Sequence, residues 1–261
     1  MPYIDVNGVE LYVEIEGEGP PLLLIHGNGG NVSQMRKDRE WLSRSFKTIA
    51  YDCRGHGRSE KPASYTLQDH IDDALALLDE LGVGIAGVIG VSGGSYIAQG
   101  LAAAEPDRVT KLVLVVPRSH GAKSATRLFW ERHAAETAGF SEAERMKFFM
   151  ERVFSPAFVR RTDPRTLMEL VRPEPALTPE ETAAANRALE RLDLRPALGR
   201  ITAPTLVISG RLDGLNPPKL GRETASLIPN AQFVEMPNSG HAPSFEEPEA
   251  FAELVGRFLK S

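Results

Sequence analysis

Short apolar runs that alternate with longer stretches of helix periodicity are the feature of this sequence that most restricts its fold. Between residue 3 and about residue 116, strands buried on both faces are predicted for the runs PLLLIH, FKTIAYD, IAGVIGV and VTKLVLVV. Residues 9–16 (VELYVEIE) alternate polar and apolar side chains, which predicts an early antiparallel strand. This succession is typical of βαβ units around a mostly parallel sheet.

Helices are predicted between these strands. Thr66 and Asp69 have the spacing of a capping box at the start of a helix, and Gly82 follows its last turn. A second helix, over about residues 93–105, is rich in small side chains. Small side chains allow a helix to pack closely, so we expect this helix to lie directly against the central strands.

Residues 118–198 interrupt the alternation, because strand-like runs disappear and capped helical stretches follow one another. Ser141 precedes Glu144, and Thr178 precedes Glu181, each with capping-box spacing. The alternation then returns with the strands TLVIS and AQFVEM and their helices. We therefore predict a core made of residues 1–117 and 199–261, with residues 118–198 inserted as a helical lid.

The predicted strand IAGVIGV runs into Gly-Val-Ser-Gly-Gly at residues 90–94, which fits the pattern G-x-S-x-G at a strand-to-helix turn. A serine on so tight a turn adopts a strained backbone conformation and needs small neighbours. Ser92 is therefore a candidate nucleophile. The alternatives are a glycine-rich linking turn and a phosphate-binding loop, although the Walker lysine and the G-x-G-x-x-G spacing are both missing.

A serine hydroxyl needs a base to accept its proton and a carboxylate to orient that base. Asp213 comes just after the strand TLVIS, and His241 comes just after AQFVEM. The carboxyl ends of strands are where open α/β sheets gather their active sites. Alone, Asp213 could form an Asx turn and His241 could be a surface histidine. Together with Ser92 they follow the chain order of an α/β-hydrolase triad.

The glycine-rich loop His-Gly-Asn-Gly-Gly at residues 26–30 follows the strand PLLLIH. In that position a first loop can donate a backbone N–H to an oxyanion hole. We predict the Asn28 N–H as one donor and the Gly93 N–H, at a helix N-terminus, as the other. His26 is expected to anchor this loop rather than to act as a base.

Substrate-pocket residues are harder to predict, because aromatic side chains of the lid could line a pocket or pack the lid itself. The candidates are Gly29, Phe129, Trp130 and Phe149.

Composition excludes several other classes of protein. A net charge of −5 argues against a nucleic-acid partner. The one cysteine, Cys53, rules out an intrachain disulfide framework and a cysteine-built metal site, and it suits a reducing compartment. We find no signal-peptide pattern and no apolar run long enough for a membrane span, so we expect a cytoplasmic protein without membrane contact. A monomer and a homodimer are both compatible with the sequence.

Five ordered motifs resemble those of the α/β-hydrolase superfamily. They are H-G-N-G-G, D-C-R-G-H-G-R-S, G-V-S-G-G-S, G-R-L-D and G-H-A-P. The resemblance implies an eight-stranded, mostly parallel sheet with helices on both faces and a helical lid after the sixth strand. Within the superfamily, the resemblance implies that the chain is similar to the small bacterial carboxylesterases and enol-lactonases.

Two residues differ from those of related branches of the superfamily, and these differences narrow the range of possible reactions. Ser92 stands where haloalkane dehalogenases and epoxide hydrolases carry aspartate, and Ala242 stands where carbon–carbon bond hydrolases often carry tryptophan. The leading hypothesis is a hydrolase of small-molecule esters or lactones that needs no metal and no cofactor. A carbon–carbon bond or amide hydrolase with the same triad, and a slow-turnover small-molecule receptor, remain as alternatives.

Overall fold

A computed structural model describes residues 2–261, and the centre of the fold is an eight-stranded sheet. The strands of the described residues are β1 (Tyr3–Val6), β2 (Val9–Glu16), β3 (Pro21–Ile25), β4 (Lys47–Tyr51), β5 (Ala86–Val91), β6 (Val109–Val115), β7 (His120–Gly121), β8 (Leu192–Asp193), β9 (Thr205–Gly210) and β10 (Ala231–Met236). The central sheet has the strand order β1-β2-β4-β3-β5-β6-β9-β10, and β7 and β8 form a separate pair. Strand β2 pairs antiparallel with both β1 and β4, and the other pairings in this sheet are parallel. The predicted α/β-hydrolase sheet is confirmed.

Helices cover both faces of this sheet. They are α1 (Arg36–Leu42), α2 (Leu67–Glu80), α3 (Gly93–Ala104), α4 (Ala125–Arg132), α5 (Glu142–Val153), α6 (Pro156–Arg161), α7 (Pro164–Val171), α8 (Pro179–Ala188), α9 (Arg195–Leu198), α10 (Pro218–Ser226), α11 (Pro243–Glu246) and α12 (Pro248–Lys260). Short 3-10 turns precede α1 and β6. None of the helices in residues 2–261 combines the length and apolar character needed to cross a bilayer.

The continuous apolar runs follow from burial on both sides of the sheet. In β3, Leu23 and Ile25 belong to the hydrophobic cluster that contains α2 and α3 residues, whereas Leu22 and Leu24 belong to the cluster on the opposite face, with α1 and α12 residues. Successive side chains of a strand point to opposite faces. A strand that is buried on both faces of the sheet therefore has apolar residues at successive positions.

Helix α2 starts as its capping box predicts. The Thr66 hydroxyl accepts a hydrogen bond from the Asp69 backbone N–H at 3.2 Å, and the Asp69 carboxylate accepts one from the Thr66 N–H at 2.7 Å. The same reciprocal arrangement starts α5 at Ser141 and α8 at Thr178.

The segment of residues 118–198, here called the lid segment, follows β6 and contains helices α4 to α9. It also contains a feature that the sequence did not predict. Strands β7 and β8 pair antiparallel through His120 with Asp193 and Gly121 with Leu192, and so join the two ends of the segment. A strand of two residues is too short to show a periodicity, so only the folded chain reveals this pairing.

Candidate active site

Ser92 lies on the sharp turn between β5 and α3, with φ of 49° and ψ of −114°. A non-glycine residue in this region is strained by roughly 1–3 kcal/mol. The two flanking glycines make the turn possible, because a Cβ at Gly90 would lie 2.4 Å from the Gly94 carbonyl oxygen, and one at Gly94 would lie 2.3 Å from the Ile25 carbonyl oxygen. The backbone therefore holds the Ser92 hydroxyl at the carboxyl edge of the sheet.

A chain of two hydrogen bonds links Ser92 to His241 and Asp213. The Ser92 Oγ and His241 Nε2 are 3.0 Å apart, and the His241 Nδ1 and Asp213 Oδ2 are 2.6 Å apart. The Asp213 carboxylate is buried and can only accept a hydrogen bond, so Nδ1 carries the proton of the neutral ring and the unprotonated Nε2 faces the hydroxyl. The three predicted residues thus meet, and the geometry is that of a nucleophile beside an oriented base.

Asp213 is held by the loop that carries it. Its Oδ1 accepts hydrogen bonds from the backbone N–H of Leu215 at 2.8 Å and of Asn216 at 2.9 Å, which leaves Oδ2 for His241. The Asn216 side chain also donates to the Val116 carbonyl at 2.8 Å and to the Tyr96 hydroxyl at 3.2 Å. Asn216 therefore joins the loop after β9 to the end of β6 and to α3.

The predicted oxyanion donors lie side by side. A Cβ at Gly93 would lie only 2.8 Å from the Asn28 backbone nitrogen, so the two loops are in direct contact. Within residues 2–261 neither the Asn28 N–H nor the Gly93 N–H donates a hydrogen bond. Gly93 is also the first residue of α3, where the helix dipole favours a negative charge. Two free amides beside a nucleophile can stabilise an oxyanion.

The Asn28 side chain lies between the lid segment and the loop that carries His56. Its Nδ2 donates to Asn186 Oδ1 of α8 at 3.2 Å, and its Oδ1 lies 3.3 Å from His56 Nε2. These contacts fix the loop that presents the Asn28 backbone N–H.

Three buried histidines, His26, His56 and His70, lie behind this loop. His26 Nε2 accepts a hydrogen bond from the Cys53 N–H at 2.9 Å, and His56 Nδ1 lies 2.9 Å from the Arg54 carbonyl oxygen. Burial lowers the pKa of all three imidazoles, that of His56 to about 3. Neutral rings with these contacts anchor the loop of residues 26–30, as expected for His26. None of the three histidines takes part in the hydrogen-bond chain from Ser92 to Asp213.

A cavity of about 620 Å³ opens above Ser92 and His241. Its wall comes from both the core and the lid segment and includes the predicted residues Gly29, Trp130 and Phe149. The prediction for Phe129 was wrong. This ring is only 1% exposed and packs edge-on against Trp130 and Phe149, with ring centroids 5.1 and 5.0 Å away. Neighbouring residues of a helix point about 100° apart, so Trp130 faces the cavity while Phe129 faces the lid interior.

Tyr96 and Asp38 also line the cavity, and the sequence did not predict either position. Tyr96 comes one helical turn after Ser92, so a helix-period reading of α3 could have placed it beside the site. Asp38 comes from α1 and has no motif around it that predicts this position.

Residues 152–155, which form the end of α5 and the turn into α6, contact both loops that carry Asp213 and His241. The Arg152 carbonyl accepts a hydrogen bond from the Gly214 N–H at 3.0 Å, and the Val153 carbonyl accepts one from the His241 N–H at 2.7 Å. The buried Glu246 carboxylate accepts from the N–H of Ser155 at 2.7 Å and from that of Ala242 at 3.0 Å. The lid segment therefore helps to hold Asp213 and His241 in place.

Possible metal ligands are dispersed. Among residues 2–261 no group of three or more His, Cys, Asp or Glu side chains is arranged to hold a metal ion.

Comparison with known proteins places the chain in a family. The enol-lactonase from Burkholderia xenovorans LB400 has a similar structure, with a TM-score of 0.86 and 31% identity over 100% of both chains. A pimeloyl-[acyl-carrier protein] methyl ester esterase of Aliivibrio salmonicida is 30% identical over 96% of each chain. The putative non-heme bromoperoxidase BpoC of Mycobacterium tuberculosis is 29% identical over 97% of this chain and 98% of its own. The family profile for the alpha/beta hydrolase fold matches residues 20–248, and the chain belongs to this family.

Proposed function

We propose that the protein is a serine hydrolase that cleaves carboxylic esters or lactones through an acyl-enzyme intermediate. The observation that carries the proposal is the hydrogen-bonded chain from Ser92 through His241 to Asp213, beside the free Asn28 and Gly93 amides and below a cavity. The similarity to an enol-lactonase and to a methyl ester esterase supports this substrate class.

In the first half of the reaction, His241 Nε2 takes the Ser92 proton while Oγ attacks the carbonyl carbon. The carbonyl oxygen becomes an oxyanion that accepts hydrogen bonds from the Asn28 and Gly93 amides. Collapse of the tetrahedral intermediate breaks the bond to the leaving alcohol, which takes its proton from the His241 imidazolium. In a lactone the leaving alcohol stays attached to the acyl group.

In the second half, His241 removes a proton from water, and the resulting hydroxide attacks the Ser92 ester. The same two amides stabilise the second oxyanion, and Ser92 leaves with the proton held by His241. Asp213 stays ionised throughout and stabilises the imidazolium. The products are a carboxylic acid and an alcohol, or a hydroxy acid from a lactone, and no metal or cofactor takes part in any step.

The test is hydrolysis of a panel of p-nitrophenyl esters and aliphatic lactones by the purified protein and its Ser92→Ala variant. Ser226→Ala, an exposed serine on α10, is the matched control. We expect Ser92→Ala to lose about 10⁴-fold or more in kcat, as in other serine hydrolases, while Ser226→Ala keeps the wild-type rate. Unchanged hydrolysis by Ser92→Ala would exclude Ser92 as the nucleophile.

The same panel includes vinylogous diketones and aminoacyl amides, because the proposed catalytic residues could also act on those carbonyls. Activity on them that exceeds ester activity by about 100-fold, or roughly 2.7 kcal/mol in transition-state stabilisation, would favour the carbon–carbon or amide alternative. Saturable ligand stabilisation with slow turnover would favour a receptor.

A further inference from the structure

Asp38 is a carboxylate in the wall of the cavity that the proposed mechanism does not use. It lies on α1, its residue is 8% exposed, and it lines the cavity beside Met35 and the residues Pro243, Ser244 and Phe245 that follow His241. Charged side chains are seldom this buried unless they are paired.

The protein supplies little to compensate this charge. The Trp41 Nε1 is 3.4 Å from Asp38 Oδ1, a long contact for a hydrogen bond. The neighbouring Lys37 places its Nζ over the Phe245 ring, 5.5 Å from the centroid. Within residues 2–261 no Lys, Arg or His side chain forms an ion pair with Asp38, in contrast to the buried Asp73, which pairs with Arg54 at 2.6 Å.

Burial raises the pKa of Asp38 to about 6, against the opposing effects of the Trp41 indole, the Ser244 hydroxyl and the Lys37 charge. At neutral pH the group is therefore mostly ionised. An ionised carboxylate in a mostly apolar wall is stabilised by any N–H donor that a bound molecule brings to it.

We propose that Asp38 is a substrate-binding residue, and that the substrate is an ester or lactone bearing an N–H donor, an ammonium group or an amide, on the part that reaches α1. The inference rests on the proposed function and narrows its substrate class. Met35, Leu170, Val171 and Phe245 line the cavity as well, so the part of the bound molecule that contacts these four residues is apolar.

The experiment compares esters that differ only in the donor. Ethyl ω-aminoalkanoates, their N-acetyl derivatives and ethyl alkanoates of equal length form the acyl series, and ω-aminoalkyl and alkyl acetates form the alcohol series. Hydrolysis is followed in a pH-stat at neutral pH with wild-type protein, Asp38→Asn, Asp38→Leu and the control Asp72→Asn. Asp72 is an exposed residue of α2, and its change removes the same charge.

In the series that reaches Asp38, we expect the ratio of kcat/KM for the donor ester to that for the plain ester to fall about tenfold or more in Asp38→Leu, as for loss of a charge-assisted hydrogen bond. Asp72→Asn keeps the wild-type rates and the wild-type ratio, and plain esters remain substrates of all four proteins. The Asn side chain keeps a hydrogen-bond acceptor but has no charge. A fall of this ratio in both Asp38→Asn and Asp38→Leu therefore identifies an ammonium group as the donor that binds Asp38. A fall in Asp38→Leu alone identifies a neutral amide as that donor.

An equal ratio in all four proteins, with plain esters still hydrolysed, would overturn the role of Asp38 and leave the proposed function standing. Failure of the wild-type protein to hydrolyse both these esters and the lactones of the first panel would overturn both proposals. A measurement on the wild-type protein alone guards against variants that do not fold. A linear alkylamine should inhibit plain-ester hydrolysis at about tenfold lower concentration than an alkyl methyl ether of equal length, and equal or weaker inhibition by the amine would contradict the proposal.

Discussion

Replacement of His70 by phenylalanine should make the protein markedly less sensitive to acid. His70 lies on α2, is 3% exposed, and packs between the rings of His56 and Tyr65, with centroids 6.0 and 5.1 Å away. Burial and the neighbouring imidazoles hold the pKa of His70 well below its usual value of 6.5. Below pH 6.5 there is therefore a range in which the unfolded chain takes up a proton at His70 and the folded chain does not.

The sign and size of the effect follow from proton linkage. Because the pKa is lower in the folded state, stability is fully present above pH 6.5 and is lost as the pH falls below it. Between about pH 7.5 and pH 5 the unfolded state gains close to one proton at His70, which lowers the free energy of unfolding by at most about 2 kcal/mol, the limit in which folded His70 takes up none. Phenylalanine fills a similar volume and cannot take up this proton.

Urea unfolding at both pH values measures the difference. The loss of unfolding free energy from pH 7.5 to pH 5 should be smaller in His70→Phe than in wild type, by up to about 2 kcal/mol. His70→Gln changes the packing differently but should show the same reduced pH dependence. Equal pH dependence in all three proteins would refute the assignment of a neutral, buried His70.

Three further predictions concern the site itself. Asp213→Asn should lower kcat by about 10³- to 10⁴-fold while the protein still folds, because an amide no longer holds the His241 tautomer; a loss below about tenfold would contradict this role. Gly93→Ala places a Cβ 2.8 Å from the Asn28 nitrogen and should reduce kcat by about 100-fold with little change in KM; a wild-type kcat would argue against these oxyanion donors. Trp130→Ala removes apolar cavity wall and should raise KM about tenfold for long-chain esters and far less for acetates; equal effects on both would show that Trp130 does not contact the substrate chain.

Much of the architecture could be predicted because the sheet is buried on both faces. Continuous apolar runs as short as PLLLIH are typical of strands covered on both sides, and the capping box at Thr66 locates the start of α2. The positions of Ser92, Asp213 and His241 follow from the same logic, since each comes within five residues of the end of a parallel strand. Parallel strands bring their carboxyl ends to one edge, so the three residues meet.

Contacts between distant segments could not be predicted in this way. The Arg152 and Val153 carbonyls that hold Gly214 and His241 are backbone atoms, and backbone hydrogen bonds across the fold leave no residue-type signal. The orientation of Phe129 depends on the rotation of α4 about its axis. The cavity position of Asp38 depends on how α1 packs beside the loop after His241.

Labelling with a fluorophosphonate tests the central claim, an activated Ser92 nucleophile, most directly. The reagent phosphonylates only a serine whose hydroxyl is activated by a base, so intact-mass and peptide mass spectrometry should find one adduct per chain, on Ser92. Ser92→Ala should give no adduct, and His241→Ala should label far more slowly. An adduct on another serine, or undiminished labelling of Ser92→Ala, would contradict the account.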